Sequence, residues 1–299
     1  MKYKIYAVIV TYNGEFWINK CINSLINSEI KLEIIVIDNN STDNTVKYIK
    51  EEFPDVILIE TKQNLGFAKA NNIGIKYALD YNADYVFLLN QDAWVNIDTI
   101  TNLLKVLEEE KGAGIVSPLH LNGNGNLFDD FFVTCLPNEY VSELYFNKLK
   151  KYYEAEFVNA AAWLISADCI CNVGGFDTLL FKHYGEDNNY CQRVKYHNYK
   201  ILISSDAVIY HDRLPRSKNY TEENEFSSFN KDRTEKMILG NVLKDYKFDS
   251  ILNDREKLKW RYLLTLRFKK YNKIKEQISL YRTILKSRNI NKNKGLNWL

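Results

Sequence analysis

The chain has 299 residues, 46% of them hydrophobic, which excludes a disordered protein and allows one large α/β domain with an appendage. Its formal net charge of +2 lacks the strong basic excess of many nucleic-acid-binding proteins, so no nucleic-acid partner is predicted. The charge is uneven, however, because residues 255–299 hold fourteen Lys or Arg and two Glu, which predicts a basic tail on a mildly acidic body.

The first 95 residues alternate buried strands with helices. Apolar runs predict four strands, at residues 5–10, 32–37, 56–59 and 85–89. Helices are predicted between them, at residues 16–26, at 44–52, and in a stretch that ends at residue 79. This alternation is typical of a parallel sheet with helices on both faces. The run at 85–89 is apolar throughout, which indicates a strand in the middle of the sheet.

Polar side chains follow each of these four strands, namely Thr11, Asp38, Asn64 and Asp92. Ligands of open α/β sheets bind beyond the carboxyl ends of the strands, so we expect these side chains on one ligand-binding rim. A hard divalent cation takes oxygen ligands, which makes Asp92 a candidate for holding a metal against a diphosphate. On spacing alone, Asp92 can equally cap a helix that begins near residue 96 or 97.

The turn after the first strand argues against a dinucleotide-binding Rossmann domain. That fold needs a Gly-x-Gly-x-x-Gly turn, so that a pyrophosphate can approach the next helix. Residues 11–15 instead read Thr-Tyr-Asn-Gly-Glu, with one glycine and a carboxylate that would repel phosphate. No Walker sequence occurs either.

The pattern becomes less regular after residue 96. A helix is predicted at 97–110, an edge strand at 112–118, and irregular structure lying over the site at 120–153. Later elements are a strand at 158–166, a short helix from residue 166, a turn at 173–177, a helix from residue 183 to about 197, and short strands at 201–203 and 207–210.

A long amphipathic helix is predicted near the carboxyl terminus. Apolar residues recur at three- and four-residue steps from Leu264 to Leu285, and the opposite face is basic. Such a helix can lie on an anionic membrane surface, pack on the catalytic domain or pair with another subunit, and these three alternatives stay open.

The cysteine content predicts a reduced, cytoplasmic setting. Five cysteines are odd in number and include no Cys-x-x-Cys, so neither a disulfide framework nor a zinc knuckle is indicated. The apolar run at 5–10 is too short for the core of a signal peptide, and no stretch of about 18 uncharged apolar residues occurs. Any membrane contact is therefore expected to be peripheral, on the inner face of the plasma membrane.

Four separated motifs occur within residues 1–215: Thr11-Tyr12-Asn13 with Asp38-Asn39-Asn40, Asn64-Leu65-Gly66-Phe67, Asn90-Gln91-Asp92, and Gly174-Gly175-Phe176-Asp177 with Gly185-Glu186-Asp187. In this order they resemble the family 2 glycosyltransferases, particularly rhamnosyltransferase-like members. The resemblance implies a GT-A fold, a Rossmann-like, mostly parallel sheet flanked by helices. Residues 1–95 would be its nucleotide-sugar-binding half and 96–215 its acceptor half, with 216–299 as a basic helical extension.

By this resemblance the donor, a dTDP- or UDP-sugar, would meet the ends of the first strands. Thr11, Tyr12 and Asp38 would line the base and ribose pocket, and Asn64 and Lys69 would lie at the donor site, Lys69 near the diphosphate. The alternatives are an Asx turn for Asp38 and a solvated helix lysine for Lys69.

The family's DXD metal site corresponds to Asn90, Gln91 and Asp92. An amide replaces the first acid, which leaves Asp92 as the only anionic ligand for Mn²⁺ or Mg²⁺. His211 matches a histidine that some members use as a further metal ligand, with a structural, hydrogen-bonded histidine as the alternative. Trp94 and Trp163 are candidates for a wall against sugar faces, with core packing as the default.

Asp187 resembles the family's catalytic base, which removes a proton from the acceptor hydroxyl as its oxygen attacks the anomeric carbon. Glu186 beside it is expected to raise a pKa towards working pH, because two neighbouring carboxyl groups resist ionising together. Acidic residues also favour a helix amino terminus, so the pair can start a helix as well. Asp177 is expected to hold the acceptor-side loop.

The resemblance thus implies a bacterial inverting glycosyltransferase that adds a sugar, rhamnose by subfamily likeness, to a glycan or polyprenyl-linked acceptor in surface polysaccharide synthesis. One rival is a nucleotidyltransferase, which shares a diphosphate-metal site but has no use for a base at Asp187. The other is a non-catalytic protein that binds nucleotide sugars. The C-terminal helices remain candidates for membrane contact or dimerisation.

Overall fold

A computed structural model describes residues 3–213 and 223–296, and within these ranges the side chains outside 223–231. The strands of this described part form one nine-stranded sheet with helices on both faces. Its order is β3-β2-β1-β4-β8-β6-β9-β5, counted along the chain, and β7 pairs with β9 outside this path.

The first half of the fold alternates strands and helices as predicted. Its strands are β1 (Ile5–Thr11), β2 (Glu33–Asp38), β3 (Ile57–Glu60) and β4 (Tyr85–Asn90). Its helices are α1 (Ile18–Ile26), α2 (Thr45–Glu52) and α3 (Phe67–Asp80). All pairs among these four strands are parallel, which confirms the predicted arrangement. Thr11 pairs with Asp38, so the ends of β1 and β2 lie side by side.

The second half continues the sheet with mixed pairing. Its strands are β5 (Ala93–Val95), β6 (Ala113–Asn122), β7 (Tyr152–Glu154), β8 (Ala162–Ser166) and β9 (Lys200–His211). Its helices are α4 (Thr99–Glu109), α5 (Asn138–Tyr145), α6 (Ala167–Val173) and α7 (Glu186–Tyr196), with a 3₁₀ turn at Phe132–Cys135. Strand β8 runs antiparallel to β4 and to β6, whereas β6 and β9 are parallel.

Strand β4 has the central position predicted for it. Its side chains alternate between the two apolar layers, with Val86 and Leu88 on one face of the sheet and Phe87 and Leu89 on the other. All four are essentially buried, since helices cover both faces. A strand with two covered faces gains nothing from polar residues at alternate positions, which explains its unbroken apolar sequence.

Several predictions for the second half are wrong. Strand β6 lies between β8 and β9 and not at an edge, and Pro118 is tolerated there because the pairing shifts register around it. The strands expected at 201–203 and 207–210 are one strand, because Ser204 between them still pairs with Tyr152 of β7. The segment 120–153 is not irregular throughout, since it contains the 3₁₀ turn and α5 and leads into β7.

The C-terminal extension consists of α8 (Glu223–Gly240), α9 (Phe248–Leu264) and α10 (Phe268–Asn291). The predicted domain boundary at residues 215 and 216 lies outside the described residues. The predicted long helix begins four residues later than expected, because α9 ends at Leu264 and a turn separates it from α10. Within the described ranges, no helix combines the length and apolarity that a membrane span requires.

The apolar stripe of α10 is covered by the protein itself, as in one of the three alternatives for this helix. Ile274, Ile278, Tyr281 and Ile284 are all buried. Tyr281 and Ile284 join a cluster with Leu180 and Phe181, which precede α7, and with Phe248 of α9. Helix α10 therefore packs on the body of the protein through the face that the sequence pattern identified.

Asp177 ties the turn that precedes α7, expected to be an acceptor-side loop, to α10. Its buried carboxylate accepts hydrogen bonds from the backbone N–H groups of Leu179 and Leu180, at 2.9 and 3.0 Å. The Ser287 hydroxyl and the Asn291 amide of α10 donate to its other oxygen. A buried carboxylate needs such donors, so the loop and the helix hold each other in place.

We predict that Ser287→Ala lowers the free energy of unfolding by about 2 kcal/mol, because it removes a hydrogen bond to a buried carboxylate. Thr283→Ala is the matched control, since Thr283 lies one turn earlier on α10 and its exposed hydroxyl bonds only the Ser279 carbonyl. Denaturant unfolding should show a change within about 0.5 kcal/mol for the control. Equal effects of the two variants would contradict the role assigned to Asp177.

Candidate active site

The ends of β1 and β2 leave one carboxylate oxygen facing inward without a partner. Asp38 is 2% exposed, and its Oδ2 accepts a 3.0 Å hydrogen bond from the Ser41 N–H, three residues on, whereas the alternative was an Asx turn with Asn40. Its Oδ1 is buried and has no hydrogen-bond partner in the described part of the chain. Burying a carboxylate oxygen without a hydrogen-bond donor costs free energy, and an N–H or hydroxyl group of a ligand would supply that donor.

Gln91 holds the turn after β1. Its Oε1 accepts hydrogen bonds from the Thr11 hydroxyl at 2.7 Å and from the Tyr12 N–H at 2.9 Å, and its Nε2 donates to the Tyr12 carbonyl at 3.3 Å. Gln91 and buried Thr11 are thus engaged with each other, whereas the Tyr12 side chain is 45% exposed. Of these three candidates, the structure leaves the Tyr12 ring accessible on the rim.

The loop after β3 packs against the loop that precedes the acidic pair. Asn64 Oδ1 accepts from the Asn39 amide at 3.0 Å and from the Gly66 N–H at 2.9 Å. Gly66 has a φ of 80°, and a Cβ at this position would lie 2.5 Å from the Lys182 carbonyl, so only glycine fits. Lys69 is exposed in the first turn of α3. Asn64 therefore shapes the loop, and Lys69 offers an accessible ammonium group beside it.

Asp92 and His211 are brought together by the antiparallel pairing of β5 with β9. Ala93 pairs with His211, and the Asp212 N–H donates to the Asp92 carbonyl at 2.8 Å. As a result, Asp92 Oδ1 lies 3.3 Å from His211 Nε2. The alternative role of Asp92 as a helix cap is wrong, because β5 intervenes and α4 begins only at Thr99.

Sequence reasoning missed two charged partners of His211. Asp129 Oδ2 lies 3.3 Å from His211 Nδ1 and 2.7 Å from Arg213 Nε. Asp129 falls in the segment without a periodic pattern, where nothing in the sequence marks one acid above another. Arg213 follows His211 by two residues, and this proximity was the one available signal.

The charges around His211 shift pKa values in opposite directions. Burial lowers the pKa of His211, but its hydrogen bonds with Asp129 and Asp92 outweigh burial and raise the pKa above its ordinary value. Burial also disfavours the charged form of Asp129, yet His211, the Phe132 N–H and Arg213 together hold its pKa well below the usual range. The cluster is therefore a set of paired charges around one buried ring.

The residues present fit a divalent cation shared with a diphosphate. Asp92 and His211 lie side by side, and a hard cation of this type commonly takes one or two protein ligands while phosphate oxygens and water complete its shell. In the described ranges no three His, Cys, Asp or Glu side chains form a metal-binding group, so a cage made by protein alone is not seen. Asp129 faces the far nitrogen of His211, as second-shell carboxylates do in metal sites.

Glu186 and Asp187 open α7, three residues after the start predicted for this helix at residue 183, and directly after Gly185 in a left-handed conformation with φ 99°. Glu186 is 6% exposed, and its Oε2 has no partner among the described residues. Burial and the neighbouring Asp187 raise the pKa of Glu186 to about 7. Burial also raises the pKa of Asp187, although the N–H groups of Asn188 and Ala160 and the Arg233 guanidinium oppose this shift.

A short loop before β8 connects the acidic pair to the end of β4. The Ala160 N–H faces the Asp187 carboxylate, and the next residue, Ala161, accepts a 2.9 Å hydrogen bond from the Asn90 N–H. Asn90 and Asp187 are thus connected through Ala160, Ala161 and two hydrogen bonds, a span on the order of 10 Å. The strand predicted at 158–166 begins only at residue 162, because this loop occupies its first residues.

Cys135, in the 3₁₀ turn, lies near both acidic centres. Burial raises the pKa of its thiol first, and the negative charges of Asp187 and Asp129 raise it further. The thiol is therefore within electrostatic range of both the acidic pair and the His211 cluster. The two centres border one region of the rim.

The two tryptophans pack inside the fold. Trp163 is fully buried and stacks on Phe176, with Tyr190 beside it. Trp94 is 8% exposed and stacks on Tyr210 at a centroid distance of 5.8 Å. A sugar cannot reach Trp163, so core packing, the default expected for both residues, is what the structure has.

The chain resembles known proteins in sequence and in fold. Residues 6–152 match the family Glycosyl transferase family 2. The chain is 30% identical over 208 residues to the dTDP-rhamnosyl transferase RfbF of Shigella flexneri, covering 68% of this chain and 66% of that protein. It is 26% identical over 215 residues to Glycosyltransferase GlyA of Streptococcus pneumoniae, covering 69% of this chain and 29% of GlyA.

The fold is similar to that of GalNAc-T7, whose structure was solved with UDP, GalNAc and Mn²⁺, with a TM-score of 0.60 and 16% identity over 80% of this chain and 50% of that one. In the two sequence comparisons, the matched part covers about two thirds of RfbF and less than a third of GlyA. The chain belongs to glycosyl transferase family 2, has a rhamnosyl transferase among its relatives, and has the GT-A fold that its motifs predict.

Proposed function

We propose that this protein is an inverting glycosyltransferase that moves a sugar from a nucleotide-sugar donor to a glycan or lipid-linked acceptor in surface polysaccharide synthesis. The observation that carries this proposal is the placement of two acidic centres on one rim, Asp92 with His211 and Asp187 with Glu186, joined through the loop at 160–161. A transferase needs both centres, because one must hold the leaving diphosphate and the other must activate the acceptor.

The donor half would bind the nucleoside at the ends of β1 and β2. The open oxygen of Asp38 would accept a hydrogen bond from a pyrimidine N–H or a ribose hydroxyl, and the exposed ring of Tyr12 would lie against the nucleoside. Lys69 would reach the diphosphate. A dTDP-sugar, with rhamnose as the sugar, is supported by the likeness to RfbF, and a UDP-sugar by the fold shared with GalNAc-T7.

Asp92 and His211 would hold a Mn²⁺ or Mg²⁺ ion together with the diphosphate. The bound cation would supply Lewis-acid stabilisation of the charge that develops on the leaving group. Asp129 would keep the His211 ring oriented, and Arg213, paired with Asp129, would place a further positive charge beside the diphosphate. Asn90 carries no charge, so this arrangement relies on one carboxylate.

Asp187 would take the proton of the acceptor hydroxyl while the acceptor oxygen attacks the anomeric carbon from the face opposite the diphosphate. Its raised pKa makes it a better proton acceptor than an ordinary surface carboxylate. Glu186 would remain protonated below about pH 7, so that the site carries one negative charge rather than two. We further propose that the protein works on the cytoplasmic side of the membrane.

We predict that Asp187→Asn lowers kcat for sugar transfer by about 10²- to 10⁴-fold and leaves donor affinity nearly unchanged, because the change removes the base and keeps its shape. Glu186→Gln is the neighbouring control and should lose less than about tenfold, since its side chain already carries a proton near neutrality. The measurement is transfer from dTDP- and UDP-sugars with Mn²⁺ present. Full activity of Asp187→Asn, or release of pyrophosphate in place of nucleoside diphosphate, would contradict the proposal.

Glu186 should also make stability fall as pH rises. Its pKa is about 7 in the folded protein against an ordinary value of 4.5. The stability associated with its protonated form is therefore fully present below the lower value and is lost as pH rises through the higher one. We predict that Glu186→Gln is more stable than the parent protein by up to about 3 kcal/mol at about pH 8, and that this difference vanishes at about pH 4. Denaturant unfolding at both pH values measures it, and a pH-independent difference would show that Glu186 titrates normally.

Donor and metal binding should be separable by thermal shift. A nucleotide that binds only the folded state at about 100 times its Kd adds about 3 kcal/mol of stability. We predict that UDP or dTDP raises the Tm, that Mn²⁺ adds to this rise, and that Asp92→Asn abolishes only the Mn²⁺-dependent part. Asp38→Asn should abolish most of the nucleotide effect with or without Mn²⁺. A Mn²⁺ effect that survives Asp92→Asn would remove Asp92 as a ligand.

A further inference from the structure

The turn between α9 and α10 exposes a group of large apolar side chains. All seven residues at 264–270 are exposed. Leu264 is 81% exposed, Leu266 72% and Phe268 56%, and Trp260, one turn earlier on α9, is 57% exposed. We call these four side chains the apolar tip. These side chains contribute little to the core, and removing their apolar surface from water would lower the free energy of the system.

Leu266 occupies a backbone position that favours glycine. Its φ is 54°, in the left-handed region, and it lies just past the end of α9. The Leu266 N–H bonds the Leu263 carbonyl at 3.1 Å and the Arg267 N–H bonds the Tyr262 carbonyl at 2.9 Å, which is the Schellman pattern of helix termination. A leucine here is strained and gains no burial. The stability of the fold therefore does not explain why leucine occupies this position, and such backbone outliers point to a functional role.

The apolar tip stands in a strongly positive segment. Residues 255–275 contain nine Lys or Arg and a single acidic residue, Glu256. Arg267, Lys269 and Lys270 alternate with or follow the apolar side chains of the tip and are themselves exposed. The buried stripe of α10 cannot meet an external surface, so the tip is the part of this basic extension that combines free apolar area with positive charge.

We propose that the apolar tip inserts into the interface of an anionic membrane, with the surrounding lysines and arginines on the lipid phosphates. Trp, Leu and Phe side chains reach the boundary between headgroups and acyl chains, and cations are attracted by anionic lipids. A second copy of this chain fits less well, because two equally basic tips repel each other. This docking mode differs from a helix lying flat, since the apolar face of α10 is already covered.

A second exposed apolar group provides the matched control. Tyr145 is 84% and Phe146 65% exposed at the end of α5. The charges around them have both signs, because Lys150 lies within ion-pair distance of Glu139 and Glu143. This group also exposes large apolar side chains but lacks the large excess of positive charge found around the tip, so it should not bind an anionic surface.

The test is co-sedimentation of the full chain with vesicles of phosphatidylcholine, with or without phosphatidylglycerol. We expect binding only with phosphatidylglycerol and release at high salt. Leu266→Gly combined with Phe268→Ser should weaken binding more than tenfold, while Leu266→Gly alone keeps or raises the Tm because glycine relaxes the turn. Lys269→Ala with Lys270→Ala should weaken binding by roughly fivefold for each lost charge.

Tyr145→Ser combined with Phe146→Ser should bind as the parent protein does. The proposal fails if the parent protein ignores anionic vesicles, if the tip variants bind unchanged, or if the α5 variant loses binding. It also fails if tip variants instead dissociate a dimer, which would make a second copy the occupant. No sugar donor is required, so the result is independent of the proposed glycosyl transfer.

Discussion

The antiparallel pairing of Ala93 with His211 is the contact on which the candidate site depends. It joins β5, the short strand that follows Asp92, to β9, the last strand along the chain, and so sets a carboxylate and an imidazole that are far apart in sequence 3.3 Å apart. Asp129 closes the other side of the ring from a loop between them. The Asp92–His211 part of the candidate site therefore forms only when β5 and β9, which are far apart in the chain, have paired.

A second set of hydrogen bonds fixes the turn that precedes α7. Buried Arg193 of α7 donates to the Gly175 carbonyl at 2.6 Å and also to the Val173 carbonyl, which fixes the turn that leads to Asp177. Asp177 in turn accepts hydrogen bonds from α10. Because α7 also carries the acidic pair, the C-terminal extension supports the same helix that presents Asp187. The extension thus combines a helix face that packs on the body of the protein with the exposed apolar tip and its basic surroundings.

Local sequence patterns were enough to predict the first half of the fold and much of the rim. Strands β1 to β4 were predicted because an unbroken apolar run and its flanking helices are local properties of the chain. The rule that ligands bind beyond the carboxyl ends of strands then placed Asp38 and Asp92 on one edge of the sheet. The acidic pair after Gly185, a residue that is left-handed in the structure, also fitted a helix start. The apolar stripe of α10 was also readable, because helical periodicity is independent of the partner that covers it.

The pairings between distant strands and side chains became known from the three-dimensional structure alone. The edge position predicted for β6 was wrong because strand order follows from pairings with β8 and β9, which lie far along the chain. Asp129 could not be recognised, since a buried acid is identified by the partners it meets and not by its neighbours in sequence. Gln91, expected at the donor, holds the turn after β1 instead. Local periodicity specifies elements, whereas long-range hydrogen bonds and charge pairs specify their register and hence the site.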